Sequence, residues 1–251
     1  MSVTIKTARE IEKMREAGRL LEQVHDELEN FIRPGVSTLE IDQLGEKIIR
    51  QMGCIPNFLH YNGYPASICV SVNDEVVHGI PSKDRILQDG DIVSLDAGLI
   101  HEGYHSDAAR THAVGNISEE AKRLIEVTKQ SFFEGIKLAV PGNHLFDISE
   151  AIQKYVESNG YSVVRDLVGH GIGTHLHEDP QIPNFKQRRK GMKLRPGMTL
   201  AIEPMVNEGS YDVVWLDDDW TVVTEDGSLA AHYENTIVIT EDGCEILTLS
   251  E

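Results

Sequence analysis

The sequence PGVSTLEIDQLGEKIIRQMG at residues 34–53 returns in altered form as PGNHLFDISEAIQKYVESNG at residues 141–160. Both copies open with Pro-Gly, keep the same spacing of apolar residues and close with glycine, and they start 107 positions apart (141 − 34 = 107). A repeat of this length indicates a duplicated unit of about a hundred residues rather than a short solenoid repeat. We therefore expect two similar α/β halves related by a pseudo-two-fold axis.

Helices are predicted around both copies of the repeat. Apolar residues recur at three-, four- and seven-residue steps over residues 8–32, and Thr7 with Glu10 has the spacing of a capping box. A second capping box begins a helix that ends at Gly53. A third helix, over residues 118–140, stands at the same 107-residue offset from the first. The repeat therefore includes the helices as well as the segments between them.

Acidic residues interrupt strands that are otherwise apolar. DIVSLDAGLI and YHSDAARTHAV are separated by a short turn with glycine, which predicts a β-hairpin that carries Asp96 and Asp107. We expect these two residues opposite each other on one face, because they are equidistant from the predicted centre of the turn. The repeat offset aligns Asp96 with Glu203, and Glu234 lies on a closing strand of the second half. The duplication thus brings four carboxylates toward one cleft.

Four carboxylates in one cleft need compensation. Burying a carboxylate without a cation or hydrogen bonds is strongly unfavourable. One outcome is a set of shared protons with raised pKa values. The other is a bound metal, which we favour because Asp and Glu are seldom buried without a partner.

The stretch GHGIGTHLHEDP at residues 169–180 adds histidines to these carboxylates. Its glycines disfavour a helix, and on an uninterrupted strand His170 and His177 would point to opposite faces, so we expect them to have different roles. The spacing excludes the H-E-x-x-H helix of zinc proteases. At the repeat offset, His170 corresponds to Gly63, so it is an addition of the second half. We favour His170 as a metal ligand over a hydrogen-bonded loop histidine.

Charge disfavours general binding to DNA or RNA, because 23 basic against 41 acidic residues give a net charge of −18. A basic cluster over residues 186–195 is the exception, with six of the 23 positive charges. A solvated loop is the simpler interpretation of this cluster, and contact with ribosomal RNA is the alternative. The six residues are Lys186, Arg188, Arg189, Lys190, Lys193 and Arg195.

The cysteines and the apolar segments indicate the compartment. Three cysteines, at positions 54, 69 and 244, are odd in number and widely spaced, which is typical of reduced thiols in a cytosolic protein. The sequence shows neither a signal peptide nor an apolar stretch of membrane-spanning length. We expect a cytoplasmic protein, a monomer, without a membrane partner.

Five motifs carry a family resemblance. YNGYPASICVSVNDEVVHGIP, DIVSLDAG with HSDAART, GHGIGTHLHEDP, LAIEPMV and HYENTIVIT resemble, in order and spacing, the motifs of type I methionine aminopeptidases of the bacterial kind. The resemblance runs from the first helix to the last strand. It implies the pita-bread (creatinase/aminopeptidase) fold, an α/β (α+β) architecture with an antiparallel sheet and flanking helices. It also implies a single catalytic domain over residues 1–251, with halves of approximately 1–115 and 116–251.

The resemblance further implies an enzyme that removes the N-terminal methionine from nascent proteins and peptides, preferring a small second residue. Its cofactor would be two divalent metal ions, of Mn, Fe, Co or Zn, held by Asp96, Asp107, His170, Glu203 and Glu234. The family pattern assigns Asp96 to one ion, His170 with Glu203 to the other, and Asp107 with Glu234 to both. Two such ions hold a hydroxide and polarise the scissile carbonyl.

Catalytic and substrate-binding roles also follow from the resemblance. Glu203 would move the proton from the water to the leaving amine. His177 would hydrogen-bond the substrate carbonyl, and His78 would contact the peptide nitrogen. The methionine pocket would be built from Tyr61, Tyr64, Cys69, Leu176 and Trp220. Leu176 departs from the family, where phenylalanine is frequent, and Phe58 is larger than expected, so the lining is expected to be rearranged but to stay apolar.

Three rival classes share parts of this pattern. Prolidases and Xaa-Pro aminopeptidases have the same five ligands, but they usually carry a large extra N-terminal domain for which this sequence has no room. Type II methionine aminopeptidases carry a helical insertion in the second half that we do not find. A metal-free adaptor at the ribosome would be expected to lack one or more ligands, and all five are present.

Overall fold

The repeat is visible in the helices of the computed structural model, which describes residues 3–249. The helices are α1 (Ala8–Phe31), α2 (Thr38–Gln51), α3 (Glu119–Ile136) and α4 (Leu145–Ser158), with a short 3₁₀ turn at Tyr61–Gly63. The helices α2 and α4 start 107 residues apart and also end 107 residues apart (145 − 38 = 107 and 158 − 51 = 107). The offset read from the sequence therefore holds for these helices.

Side-chain caps explain where the first helices begin. Thr7 accepts a hydrogen bond from the Glu10 amide at the start of α1, while the Glu10 carboxylate accepts from the Thr7 amide. Ser37 and Glu40 form the same reciprocal pair at the start of α2. Both predicted capping boxes are confirmed, and each satisfies two backbone donors that the helix itself leaves free.

The third helix is shorter than predicted. It ends at Ile136 instead of residue 140, because the chain leaves the helix through tight turns in which Leu138 and Ala139 donate to carbonyls three residues back. Pro141 follows, and a proline disfavours helical conformation at the residue before it.

Strands occupy most of the remaining chain. In chain order they are β1 (Ile55–Pro56), β2 (Ile68–Val72), β3 (Glu75–Val77), β4 (Ile92–His101), β5 (Tyr104–Ala113), β6 (Ser162–Val163), β7 (Gly169–Gly171), β8 (Glu178–Ile182), β9 (Thr199–Ile202), β10 (Met205–Asn207), β11 (Val213–Trp215), β12 (Val222–Thr224), β13 (Ala230–His232), β14 (Glu234–Ile239) and β15 (Cys244–Ile246). Every strand pairing among the described residues is antiparallel.

The main sheet joins the two halves. Its nine strands follow the order β1-β4-β5-β14-β9-β7-β8, with β2 also paired to β4 and β15 to β14. Two three-stranded sheets, β13-β10-β6 and β11-β12-β3, complete the architecture. The pairing of β5 with β14 is the seam between the halves. The result is the mixed α/β fold with an antiparallel sheet that the sequence predicted.

The predicted register of the first hairpin is wrong by two residues, because the prediction pairs Asp96 with Asp107 and the structure pairs Asp96 with Ala109. The turn consists of Glu102–Gly103 alone, both with positive φ, as a two-residue hairpin turn requires. Asp96 therefore pairs with Ala109, and Asp107 pairs with Gly98. The two carboxylates are diagonal neighbours on one face instead of lying directly opposite, because the turn is centred between Glu102 and Gly103, one residue later than predicted.

Separate apolar clusters fill the two halves. Helices α1 and α2 pack on β2 and β4 through residues such as Leu28 and Leu95, while α3 and α4 pack on the second half through residues such as Leu124 and Leu200. A smaller cluster that includes Tyr64 draws on both halves. This smaller cluster lies where the site is formed.

The cysteines are free thiols, as predicted, with Cys54 and Cys69 buried and Cys244 partly buried. Within residues 3–249, none of the helices combines the length and apolarity needed to cross a membrane.

Candidate active site

One cavity brings together the residues that the sequence singled out. Its volume is about 290 Å³, and it opens between the two halves. The predicted metal ligands and substrate-facing residues that line it are Asp96, Asp107, His170, Glu203, Glu234, His78, His177, Tyr61, Tyr64, Cys69, Leu176 and Trp220. The cavity thus contains every predicted site residue.

Neighbouring strands position the candidate ligands. Asp96 lies on β4 and Asp107 on β5, while Glu234 begins β14 and pairs with Ala109 of β5. Beyond β14 come β9, which ends one residue before Glu203, and β7, which carries His170. Five consecutive strands of the main sheet, from β4 to β7 in the sheet order, therefore bring the five side chains into a single cluster.

Two of the four carboxylates in this cluster are buried, and none of the four forms an ion pair with a lysine or arginine among the described residues. Asp107 and Glu234 are only 4% and 2% exposed. One oxygen each of Asp96, Asp107 and Glu234 is buried and has no hydrogen-bond partner among the described residues. The nearby Arg110 guanidinium donates to the backbone carbonyls of Ala109 and Glu234 instead of to these carboxylates, although its charge partly offsets the raised pKa of Glu234. Buried acceptors of this kind require a partner from outside the chain.

The pKa values reflect the same imbalance. Burial raises the pKa of Asp96 to about 7. Burial also raises the pKa of Asp107, Glu203 and Glu234 well above the usual range, and the charges of neighbouring carboxylates raise all three further. Without a cation, these groups would share protons instead of all being ionised.

His170 is prepared to offer a lone pair to this cluster. Its Nδ1 lies 2.8 Å from the Gly171 carbonyl oxygen, so we assign the proton to Nδ1. The Nε2 then faces the carboxylates, 3.6 Å from Glu203 Oε1 and 3.9 Å from Asp107 Oδ2. Burial lowers the pKa of His170 to about 3, so the ring is neutral. A backbone acceptor that sets the histidine tautomer in this way is typical of metal sites.

The donor set fits a divalent cation. Asp107, His170 and Glu234 each present a ligand atom, and these atoms lie within 4.8 Å of one another. Glu203, His232 and Glu234 form a second group of the same kind. Carboxylate oxygens and neutral imidazole suit first-row divalent metals. The orphaned oxygens, together with the lack of a lysine or arginine ion pair to these carboxylates within residues 3–249, therefore agree with the metal interpretation of the sequence.

The two histidines predicted to face the substrate, His78 and His177, line the same cavity as the carboxylates. His177 follows a loop that turns back after β7, and its ring centroid is 4.3 Å from that of His170. The Tyr61 hydroxyl lies 2.7 Å from His177 Nδ1, so we assign the tyrosine as donor, which leaves His177 Nε2 with the proton. His78 follows β3 in a left-handed conformation, and burial lowers its pKa to about 4. Both rings are therefore neutral groups close to the carboxylates.

The other side of the cavity is apolar and aromatic. Tyr64 and Trp220 meet edge to face with centroids 5.1 Å apart, and the Tyr64 hydroxyl donates to the Gly79 carbonyl. Cys69 is buried beside them, and burial raises the pKa of its thiol. Phe58 and Leu176, the two departures from the family pattern, line this same part of the cavity.

Sequence reasoning missed some lining residues. His232 carries the most chemistry among them, since it is a buried imidazole 4.0 Å from Glu203 Oε2. Its place two residues before Glu234 was the available signal, because alternate residues of a strand share a face. The other missed lining residues are Asn62, Val77, Leu167, Val168 and Met205.

The fold and the buried donor cluster define a metallopeptidase. The sequence model of metallopeptidase family M24 matches residues 12–241, and the chain belongs to this family. A relative named methionine aminopeptidase from Clostridium acetobutylicum is 57% identical over 249 residues, covering 99% of this chain and 100% of that protein. The predicted family resemblance is confirmed.

Solved structures give the same result for the fold. The crystal structure of methionine aminopeptidase from Rickettsia prowazekii superposes with a TM-score of 0.97 at 42% identity, covering 99% of this chain and all of the other. Xaa-Pro dipeptidase from Bacillus anthracis superposes less closely, with a TM-score of 0.79 at 27% identity, and this chain covers 62% of that protein. The pita-bread fold predicted from the motifs is therefore confirmed.

Proposed function

We propose that the protein is a metal-dependent methionine aminopeptidase, which hydrolyses the bond after the N-terminal methionine of nascent proteins and peptides. The observation that carries this proposal is the single cavity in which buried, uncompensated carboxylates adjoin an apolar pocket of aromatic and sulfur groups. A metallopeptidase needs the first feature, and a methionine side chain fits the second. The 57% identity to a relative of that name supports the same choice over the proline-specific enzymes.

The cofactor in this proposal is two divalent ions of Mn, Fe, Co or Zn. Asp96 would hold one ion and His170 with Glu203 the other, while Asp107 and Glu234 would reach both. Support comes from the burial of Asp107, His170 and Glu234 and from the orphaned oxygens of Asp96, Asp107 and Glu234. When bound, such ions activate a water molecule at neutral pH and polarise the scissile carbonyl.

The protein's own groups would handle the proton and the developing charge. Glu203 is partly exposed to the cavity, with its side chain 14% accessible, so it is placed to take a proton from water and deliver it to the leaving amine. The Nε2–H of His177 would donate to the carbonyl oxygen, with Tyr61 holding the ring through Nδ1. His78, whose ring centroid lies 6.4 Å from that of Trp220, would orient the peptide nitrogen.

The methionine side chain would lie against Tyr64, Cys69 and Trp220. Phe58 and Leu176 belong to the same cluster, so a large residue at position 58 offsets the smaller one at position 176. The pocket keeps its apolar character under this exchange. A small second residue is expected to be preferred, as in the family that the motifs resemble.

Hydrolysis of a Met-Gly-Met peptide tests the proposal. We expect release of methionine that stops on chelation and returns when a divalent metal is added back. A Gly-Pro dipeptide is the matched control, and a proline-specific enzyme would cleave it instead. Failure of added metal to restore any hydrolysis would leave a metal-free adaptor as the better description.

We also propose that the chain acts as one catalytic domain and as a cytoplasmic monomer.

We further propose that the basic cluster over residues 186–195 contacts the ribosome. The arginines of the cluster at positions 188 and 189 and its lysines at positions 190 and 193 are exposed, whereas Lys186 pairs with Glu150. Exposed cations on an otherwise acidic protein favour a local contact with RNA phosphates.

Co-sedimentation with ribosomes tests this contact. The variant R188Q/R189Q/K190Q should co-sediment less at low salt, while R9Q/K47Q/K83Q, which removes three exposed charges elsewhere, should not. Equal sedimentation of both variants would leave the cluster as a solvated loop.

A further inference from the structure

His232 is a buried imidazole for which neither the ligand set nor the proposed mechanism has a role. It ends β13, is 2% exposed and lines the active-site cavity. Neither of its ring nitrogens has a hydrogen-bond partner among the described residues. Leaving a buried polar group unsatisfied costs roughly 1–3 kcal/mol, so an imidazole at this position needs a partner that the chain does not supply.

The geometry around Glu203 indicates what that partner is. Glu203 lies between two imidazoles, with Oε1 facing His170 Nε2 at 3.6 Å and Oε2 facing His232 Nε2 at 4.0 Å. The second distance is too long for a hydrogen bond. Two atoms that bind one ion at about 2.0–2.2 Å each are separated by roughly 3–4 Å, so both distances suit shared coordination.

Glu234 completes the group on this side. Its carboxylate, Glu203 and His232 offer ligand atoms within 4.8 Å of one another, just as Asp107, His170 and Glu234 do on the other side. Two three-donor groups therefore meet at Glu234, and each contains one imidazole.

We propose that His232 is a metal ligand, which gives the centre a second nitrogen donor beside Glu203 and Glu234. The proposal rests on the metal-dependent function argued above and adds a sixth side chain to its five ligands. Imidazole suits Zn and Fe, whereas a purely oxygen site suits Mn. The second imidazole should therefore shift the metal preference of the centre away from Mn.

The surroundings of the ring agree with coordination. The ring also lines a second cavity of about 280 Å³ on the far side, which includes His25, Arg110 and His112. This cavity has room for water molecules, which would accept the proton of the nitrogen that does not bind metal.

A Zn²⁺ titration of protein labelled with ¹⁵N-histidine tests the proposal. Long-range ¹H–¹⁵N spectra separate metal-bound from free ring nitrogens, and H170Q and H232Q identify the two signals. We expect one nitrogen of each of these histidines to shift on metal binding. A shift of His170 with none at His232 would overturn the proposal and leave the five-ligand metal centre standing. No shift at either would remove the metal centre as well.

Metal affinities give an independent measurement. H232Q should weaken Zn²⁺ binding by at least about tenfold, since even outer partners of ligands have effects of that size. Binding of Mn²⁺ should fall less. H112Q is the matched control, because His112 also has an unpartnered ring nitrogen and lines only the second cavity of the two. Equal losses for H112Q and H232Q would contradict the proposal, and H232N serves if H232Q fails to fold.

Discussion

The two halves of the molecule have their glycine on different helices at one pair of equivalent positions. In the first half the glycine is Gly45 of α2, where an added Cβ would lie 2.6 Å from Ile68 Cγ1 of β2 and 3.7 Å from Leu28 Cδ1 of α1. In the second half Gly135 of α3 faces Ile152 of α4, where an added Cβ would lie 2.6 Å from Ile152 Cγ1. The positions are equivalent at the 107-residue offset (135 − 28 and 152 − 45). In both halves an aliphatic side chain occupies the space beside the glycine, although the glycine lies on a different helix of the pair.

The site shows a different kind of divergence. Asp96 and Glu203 keep a carboxylate at equivalent positions, but only the second half contributes the imidazoles His170 and His232 to the cluster. The scaffold is therefore nearly symmetric and the chemistry is not. Packing tolerates an exchange of partners that conserves volume, whereas catalysis needs particular atoms at particular places. The following predictions test this contrast in order of expected effect.

The largest effects on activity are expected at the two equivalent carboxylates, Glu203 and Asp96, and their substitutions should have different kinetic consequences. E203Q should lower kcat by roughly 10²–10⁴ even at saturating metal, because it removes a group that moves the proton. D96N should mainly weaken metal binding, so part of its loss should return as the metal concentration is raised. Methionine release from Met-Gly-Met measures both. Full recovery of E203Q activity at high metal concentration would mean that the two carboxylates have the same role, namely metal binding.

The two substrate-facing histidines come next, one from each half. H177A removes the donor aimed at the carbonyl oxygen and should lower kcat by roughly 10²–10³. H78A should act chiefly on KM, because its ring orients the peptide nitrogen instead of stabilising charge. Steady-state kinetics with Met-Gly-Met separate the two parameters. An unchanged kcat in H177A would remove this residue from the mechanism.

A smaller effect is expected on stability at the helix crossing. G135A should lower the free energy of unfolding by about 1–3 kcal/mol, because the new methyl group overpacks against Ile152. Shortening the partner in G135A/I152V should recover part of this loss. Urea unfolding of the metal-free wild type, the two single variants and the double variant gives the free energies of this double-mutant cycle. Strict additivity of the two changes would show that the residues do not contact each other as described.

The smallest effect is expected on the pH dependence of the free energy of unfolding. It concerns His25 of α1, whose equivalent in α3 is Phe132. Burial, aided by the charges of Arg110 and His112, holds the pKa of His25 well below its usual range. Below the unfolded-state pKa of about 6.5, the unfolded chain binds a proton at this histidine that the folded chain does not bind. The free energy of unfolding therefore decreases as the pH is lowered. The variant H25F should lose up to about 1.4 kcal/mol less per pH unit than the wild type.

Urea unfolding at several pH values between 7.5 and 5.5 checks this difference. Other buried histidines contribute equally to both proteins, so the difference between the slopes isolates His25. Identical slopes would mean that His25 accepts a proton in the folded state.

Local sequence determined much of this protein. The capping boxes, the 107-residue offset and the carboxylates within apolar strands predicted the helices, the duplicated fold and the acidic part of the candidate site. These features depend on neighbouring residues and on the period of side chains along a helix or strand, which a linear sequence displays directly.

Tertiary structure decided what depends on contacts between distant segments. The position of the two-residue turn set the register of the first hairpin, which the sequence had not predicted. The loop after β7 brings the ring centroid of His177 to 4.3 Å from that of His170. The position of His232 beside Glu203 also comes from the packing of separate strands. Periodicity along one strand does not specify which strand lies next to it or at what register. The donor atoms of the candidate site meet only when those pairings are formed.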